Sequence, residues 1–209
     1  MTAGNKLKRS ETPTIGRPRG FDRDAALLAA MRTFWKQGYE GTSVQDLVTA
    51  MGVNKPSLYS TFGCKEEIFR EAIELYDRLE GRATTQSLAE AKTARDAVET
   101  MLLANARAYT VTEGPRGCMI VLSSLLGAPE NEGVRAFLAK NRLDGEMALR
   151  ARLARGVIDG DLACSADLDR LAAFYTTILE GLSIQARDGA SAEKLNMIIE
   201  AAMLAWPTG

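Results

Sequence analysis

Between Thr42 and Lys65 the chain reads TSVQDLVTAMGVNKPSLYSTFGCK, and the punctuation of this stretch leaves it little choice of fold. Ser43 three residues ahead of Asp46 is the pattern of a capped helix start. Val44, Leu47, Val48 and Met51 recur at i, i+3, i+4 and i+7, which is one face of a short helix. Gly52 breaks that helix, and Asn54 offers its side chain as the cap of a second one opening with Lys55, Pro56, Ser57, Leu58 and Tyr59. Pro56 fits because it falls in the first turn, where its missing N–H has no partner to lose. Two short helices joined by a Gly-containing turn of about three to four residues describe a helix-turn-helix. In such a unit the second helix enters the DNA major groove and its N-terminal side chains meet base edges. The same hairpin also occurs as a plain packing unit, so the rest of the chain must decide.

Charge is divided unevenly along the 209 residues. Met1 to Lys65 carry ten positive side chains against five negative, and the remainder carries sixteen against twenty-two, so a basic head precedes an acidic body although the net charge is −1. That is the electrostatic footprint of a DNA reader whose second part does something else. Histidine is absent, which excludes Ser-His-Asp and Cys-His relays and His-ligated zinc or iron. Cys64, Cys118 and Cys164 are too far apart for a Cys-x-x-Cys site. No cofactor and no metal are expected. An odd cysteine count without an apolar leader argues for reduced thiols and a cytoplasmic protein, and no apolar run is long enough to cross a bilayer.

The fold expected is all-α. Residues 1–20 hold Pro13, Pro18 and no apolar periodicity, and read as a flexible basic arm; its Arg17 and Arg19 either drop into a minor groove or only add long-range attraction. Residues 21–64 form the helix-turn-helix head, starting with a helix from about Asp22 to Gln37 that buries Leu27 or Leu28, Met31, Phe34 and Trp35 and stops at Gly38. Residues 65–209 form the second domain, entered by a connecting helix over 65–80 that buries Ile68, Phe69, Ala72, Ile73, Tyr76 and Leu79. Gly81 to Thr93 is open between a frayed continuation and a loop. Thr93 caps the next helix, which carries Val98, Met101, Leu102, Asn105 and Tyr109 along one side. Glu113 to Gly117 is a turn, Cys118 to Leu126 a buried helix, and Glu132 to Ile158 one long helix with Phe137 among its inward residues and many of its arginines outward. Two last helices, about Asp167 to Gln185 and Ala192 to Trp206, are apolar on most sides. A helix apolar all round must be covered all round, and the same pair from a second copy is the simplest cover. Leu171, Ile178, Leu182, Leu195, Ile199 and Ala202 are the residues expected in that homodimer interface.

The order of a helix, Gly-Tyr-x-x-Thr-Ser-Val, a helix, Gly-Val, then Leu-Tyr-x-x-Phe-x-x-Lys-Glu-x-x-Phe resembles the N-terminal DNA-binding domain of the TetR family of transcriptional regulators over about fifty residues. Arg116-Gly117-Cys118-Met119 and the segment Glu180 to Gly189 are similar to parts of one branch of that family's ligand-binding domain. The resemblance implies a homodimeric repressor that binds a palindromic double-stranded DNA operator and is released by a small-molecule inducer, with no membrane association. It implies phosphate contacts from Tyr59, Thr42 and Lys65, with Ser43 beside them, and base contacts from Lys55 and Ser57. Thr61 departs from the pattern, which more often has an aromatic or His there. The resemblance also places a ligand pocket in the second domain, among Met101, Asn105, Tyr109, Cys118, Leu122, Phe137, Phe174 and Tyr175, residues that core packing would explain equally well. Cys64 stands where relatives carry a capping residue; beside Lys65 at a helix start it is either a neutral replacement or a thiol whose modification weakens DNA binding. The competing readings are a helical enzyme and an interaction module whose helix-turn-helix is scaffold.

Overall fold

Asp22 accepts backbone hydrogen bonds from Asp24 and Ala25 at 3.0 and 3.2 Å, and so starts the first helix, α1 (Arg23–Gly41). The computed structural model describes residues 22–111, 114–123 and 127–207, and every regular element among them is helical. Gly38 breaks α1 at φ 74° and ψ 173°, so its last residues form a separate turn, as the expected stop at Gln37 requires. The helices α2 (Val44–Met51) and α3 (Lys55–Phe62) follow, separated by Gly52 in the left-handed region at φ 64°. Both caps are in place. Asp46 N–H donates to Ser43 Oγ at 3.1 Å while Ser43 N–H donates to Asp46 Oδ2 at 2.8 Å, and Ser57 N–H donates to Asn54 Oδ1 at 2.8 Å.

The connecting helix is α4 (Lys65–Glu80). Its buried stripe is Ile68, Phe69, Ala72, Ile73 and Tyr76, but Leu79, expected to be buried, is exposed. Phe34 packs edge-on against Phe69 with ring centres 5.0 Å apart, and Leu47, Leu58 and Phe62 close the same core. Met119, Val134 and Leu138 belong to this cluster too, so the head is seated on elements that come much later in the chain.

Gly81 to Thr93, left open by the sequence, contains a helix, α5 (Arg82–Glu90). Then come α6 (Ala94–Tyr109), capped by Thr93, and a helix much shorter than Cys118 to Leu126, α7 (Met119–Leu122); residues 124–126 lie outside the described residues. A 3-10 turn (Pro129–Asn131) leads into the long helix α8 (Glu132–Asp159), which ends at Gly160 in the left-handed region. The last pair is α9 (Leu168–Arg187) and α10 (Ala192–Met203). A second core joins α6, the C-terminal half of α8, α9 and α10 through Leu102, Leu153, Leu182 and Leu195.

This second core corrects the expected dimer interface. Leu171, Leu182, Leu195, Ile199 and Ala202 are buried inside the protomer, and Ile178 is half-buried. A periodic apolar stripe says only that a face is covered, and here α6 and the neighbouring helix cover it. The apolar residues the pair turns outward are Phe174, Ile184, Met197 and Leu204, the last 87% exposed.

Candidate nucleic-acid interface

The helix α3 is anchored from beneath by fully buried Leu58 and by Phe62, which leaves its other side to solvent. Lys55, Tyr59 and Ser60 are exposed and Ser57 half-buried on that side. Tyr59, at 43% exposure, is therefore not a core residue. Ser60 was missed by the sequence reading, although it follows from the period: Leu58 and Phe62 fix the inward face, and position 60 falls between them on the opposite side. At the start of α2, Ser43 and Gln45 are exposed. Lys65 is half-buried, with its ammonium 4.2 Å from the centre of the Tyr39 ring, and burial holds its pKa below the ordinary lysine value.

Thr42 is placed differently from what the resemblance implied. It is 1% exposed and its hydroxyl donates to the Gly38 carbonyl at 2.7 Å, so the side chain closes the broken end of α1 and has no free face for a phosphate. Cys64 is exposed at the start of α4, where its backbone N–H donates to Glu67 Oε2 at 2.7 Å, the half of a capping box that does not depend on the Cys64 side chain. Arg17 and Arg19 lie outside the described residues.

A cavity of about 640 Å³ opens between α4, α5, α6, α8 and α9. Of the eight residues expected around a pocket, Met101, Asn105, Tyr109 and Cys118 line it. The other four do not. Leu122 packs toward Gly117, Phe137 packs against the head core with Arg70 over its ring at 4.5 Å, Phe174 is exposed, and Tyr175 is fully buried with its hydroxyl donating to the Ala202 carbonyl at 3.4 Å. Tyr76, Arg152 and Glu180 line the cavity and were not foreseen. Burial pushes the Tyr76 and Tyr109 hydroxyls well above the ordinary tyrosine value, and the nearby Cys118 sulfur adds to the effect. Burial also raises the Glu180 carboxyl, against the opposing influence of Arg142.

The cavity wall and the head share one hydrogen-bonded seam. Trp35 Nε1–H donates to the Gly117 carbonyl at 2.9 Å, and Tyr39 N–H donates to the Ser123 carbonyl at 3.0 Å. Arg187, at the end of α9, donates to the carbonyls of Trp35 and Lys36 at 3.3 and 2.6 Å. Glu40 accepts from the Asn131 amide at 2.8 Å. Gly117 itself sits at φ 77°, and a Cβ there would lie 2.6 Å from the Ser183 carbonyl oxygen. The Arg-Gly-Cys segment is thus clamped between α9 and α1, with Cys118 N–H donating to Ser183 Oγ at 2.8 Å.

Comparison with known proteins agrees with this geometry. The family model for bacterial regulatory proteins of the tetR family matches residues 26–72, which spans α1 to the middle of α4. The chain is 36% identical over 193 residues to the HTH-type transcriptional repressor ComR of Escherichia coli (strain K12), covering 92% of each protein. It is 28% identical over 191 residues to the HTH-type transcriptional repressor BdcR of the same organism, covering 90% of this chain and 89% of that one. Among solved structures, a cysteine mutant of the TetR family transcriptional regulator CifR complexed with 26-bp double-strand operator DNA superposes with a TM-score of 0.89 at 46% identity, covering 92% of this chain and all of that one. Full-length similarity of this degree, together with an exposed recognition helix in a capped helix-turn-helix, places the chain in the TetR family of bacterial DNA-binding transcriptional regulators.

Proposed function

We propose that this regulator is a repressor that binds a palindromic operator as a homodimer and leaves it when a small molecule occupies the cavity between α4 and α9. The observation that carries the DNA half is the outward row on α3, where Lys55, Ser57 and Tyr59 project from a helix whose opposite side is fixed by Leu58 and Phe62. In this reading Lys55 and Ser57 face base edges, while Tyr59 and Lys65 hold phosphates and Ser43 adds a contact from the start of α2. Arg17 and Arg19 reach into the adjacent minor groove. Thr42 is left out as a side-chain contact because its hydroxyl is committed to Gly38. Residues 21–64 act as the reading head and 65–209 as the sensing and pairing part.

Two supports come from relatives. ComR and BdcR are repressors by name, and CifR is held on operator DNA in the structure that superposes here. The pairing surface is the outward face of the last two helices. Phe174, Ile178, Gly181 and Ile184 recur at i, i+4, i+7 and i+10 on α9, and Met197 and Ala201 on α10 continue the face to Leu204 just past its end. Two such pairs about a twofold axis form a four-helix interface. Two heads reading successive major grooves stand about 34–36 Å apart, and a ligand that prefers another spacing weakens DNA binding about 5- to 150-fold for a coupling of about 1–3 kcal/mol.

The test is electrophoretic mobility shift on the chain's own upstream DNA and on a scrambled duplex. Lys55→Ala should lose discrimination between the two, and Tyr59→Ala should weaken both alike. Wild-type-like binding by both variants would contradict this assignment of α3.

A further inference from the structure

The geometry points to an organic anion, one acidic group on an apolar body, as the class of molecule that the cavity takes, with Arg152 receiving its charge. This rests on the reading that the cavity holds the effector. Three guanidinium groups line the wall, from Arg142, Arg152 and Arg155. Arg142 has Glu180 at 4.0 Å, and Arg155 has Asp159 at 3.3 Å. Arg152 has no acid within ion-pair distance among the described residues.

Arg152 is also the most deeply placed of the three, at 4% exposure. Its Nη2 donates to the Ala91 carbonyl at 3.1 Å, just past the end of α5, while Nε and Nη1 are sealed from water and have no hydrogen-bond partner. An arginine keeps its proton at any pH the fold survives, so it cannot escape the penalty by neutralising. A buried cation with neither counter-ion nor full hydrogen bonding is the costliest arrangement in an interior. The missing group is an anion. A guanidinium takes a carboxylate or sulfonate through two parallel N–H bonds on one edge, and each such fork includes Nη2, here held by the Ala91 carbonyl. A rotation of the long side chain from Ala91 toward the void would present that fork to a ligand.

The remainder of the wall narrows the class. Leu88, Met101 and Leu149 give it an apolar floor. Asn105 cannot supply a donor, because its amide nitrogen already donates to Thr84 Oγ1 and the Met101 carbonyl, both at 2.8 Å. Asp77, Glu80, Asp144 and Glu180 also line the cavity, so a ligand carrying several negative charges meets repulsion. One acidic group is matched and a second is not. Withdrawing Arg152 from Ala91 also removes one of the two arginine bonds on the end of α5, the other being Arg155 to the Ala89 carbonyl at 3.3 Å, and α5 follows α4 across Gly81, which offers a path from ligand to head.

The experiment uses two dyes with one ring system, 8-anilinonaphthalene-1-sulfonate and the uncharged N-phenyl-1-naphthylamine, titrated by fluorescence into the full chain and into Arg152→Met and Arg152→Lys. Decanoate and 1-decanol are the competitors. We expect the sulfonate dye to bind wild type about tenfold or more tighter than the Met variant, with Lys between them, while the neutral dye is indifferent to the substitution. Decanoate should displace the sulfonate dye at about tenfold lower concentration than 1-decanol. Equal binding of both dyes to wild type, with equal displacement by both competitors, would overturn the anion assignment and leave the cavity as an effector site for neutral molecules. Failure of both dyes to bind at all would overturn it together with the reading of the cavity as an effector site. The comparison of dyes and competitors on wild type needs no variant, so it decides the matter even if Arg152→Met does not fold.

Discussion

The indole nitrogen of Trp35 in α1 donates to the carbonyl of Gly117, 82 positions later, at 2.9 Å. This bond ties the first helix of the DNA-reading head to the segment that carries Cys118 into the cavity wall. The head is therefore held by the sensing part at two places, through α4 and through the seam of Trp35, Tyr39 and Arg187. A ligand that moves residues 117–123 pulls on α1 directly.

Trp35→Phe keeps a ring against Tyr76, whose centre lies 4.9 Å from that of Trp35, but leaves the buried Gly117 carbonyl without its donor. The expected loss of stability is about 1–3 kcal/mol. In a chain of this length that is a fall in Tm of about 2–4 °C per kcal/mol. Urea or thermal unfolding measures it, and an unchanged midpoint would show that the bond contributes nothing.

Gly117 and Gly145 should respond oppositely to alanine. At Gly117 the left-handed backbone and a Cβ 2.6 Å from the Ser183 carbonyl force a rearrangement, so Gly117→Ala should destabilise by more than about 1 kcal/mol. Gly145 lies inside α8 with nothing within 4 Å of its would-be Cβ, so Gly145→Ala should stabilise by about 0.5–1 kcal/mol. Chemical denaturation of the two variants in parallel gives the signs.

The last two helices separate pairing from folding. Met197→Glu combined with Leu204→Glu should yield a folded monomer in sedimentation velocity, because both side chains already face outward. Ile199→Glu should instead unfold the chain, since that position is buried within the protomer. Dimers from the double variant would move the pairing surface elsewhere.

The caps of the head give it an acid limit. Asp46 is held below the ordinary carboxylate value by the Ser43 hydroxyl and then by the Ser43 backbone N–H, and Glu67 by the Cys64 backbone N–H and then its side chain. A depressed folded value means that these groups favour the native state above the unfolded value, near 4, and lose that contribution as pH falls through the lower folded value. The stability of Asp46→Asn should therefore fall off less steeply than that of wild type below about pH 4. Parallel acid titrations followed by circular dichroism show whether the curves converge.

Much of the head was legible in the sequence because its structure is written in local chemistry. Ser43, Asn54, Gly38, Gly52 and Gly63 each carry their instruction in their own backbone or side chain, and all five act as read. The second part depends on which helix meets which, and periodicity cannot say. Phe174 turns to solvent and Tyr175 is buried with its hydroxyl on the Ala202 carbonyl, so neither lines the cavity, although adjacent Leu179 and Glu180 on the same helix both do. The burial of Arg152 has a local signal in the sequence. Leu149, Arg152, Leu153 and Gly156 recur at i, i+3, i+4 and i+7, all four are buried, and a cation on that stripe is a cation in the interior.

Fluorescence anisotropy of the purified protein on its own promoter across a salt series measures whether α3 reads DNA. With about eight phosphates neutralised, log K should fall against log salt with a slope near −7, on the promoter and more weakly on random DNA. Lys65→Ala should make that slope shallower by about one, while Tyr59→Ala weakens binding without changing the slope. Weak binding to both duplexes, with an affinity that Tyr59→Ala leaves unchanged and a slope that Lys65→Ala leaves unchanged, would reduce the helix-turn-helix of this chain to scaffold.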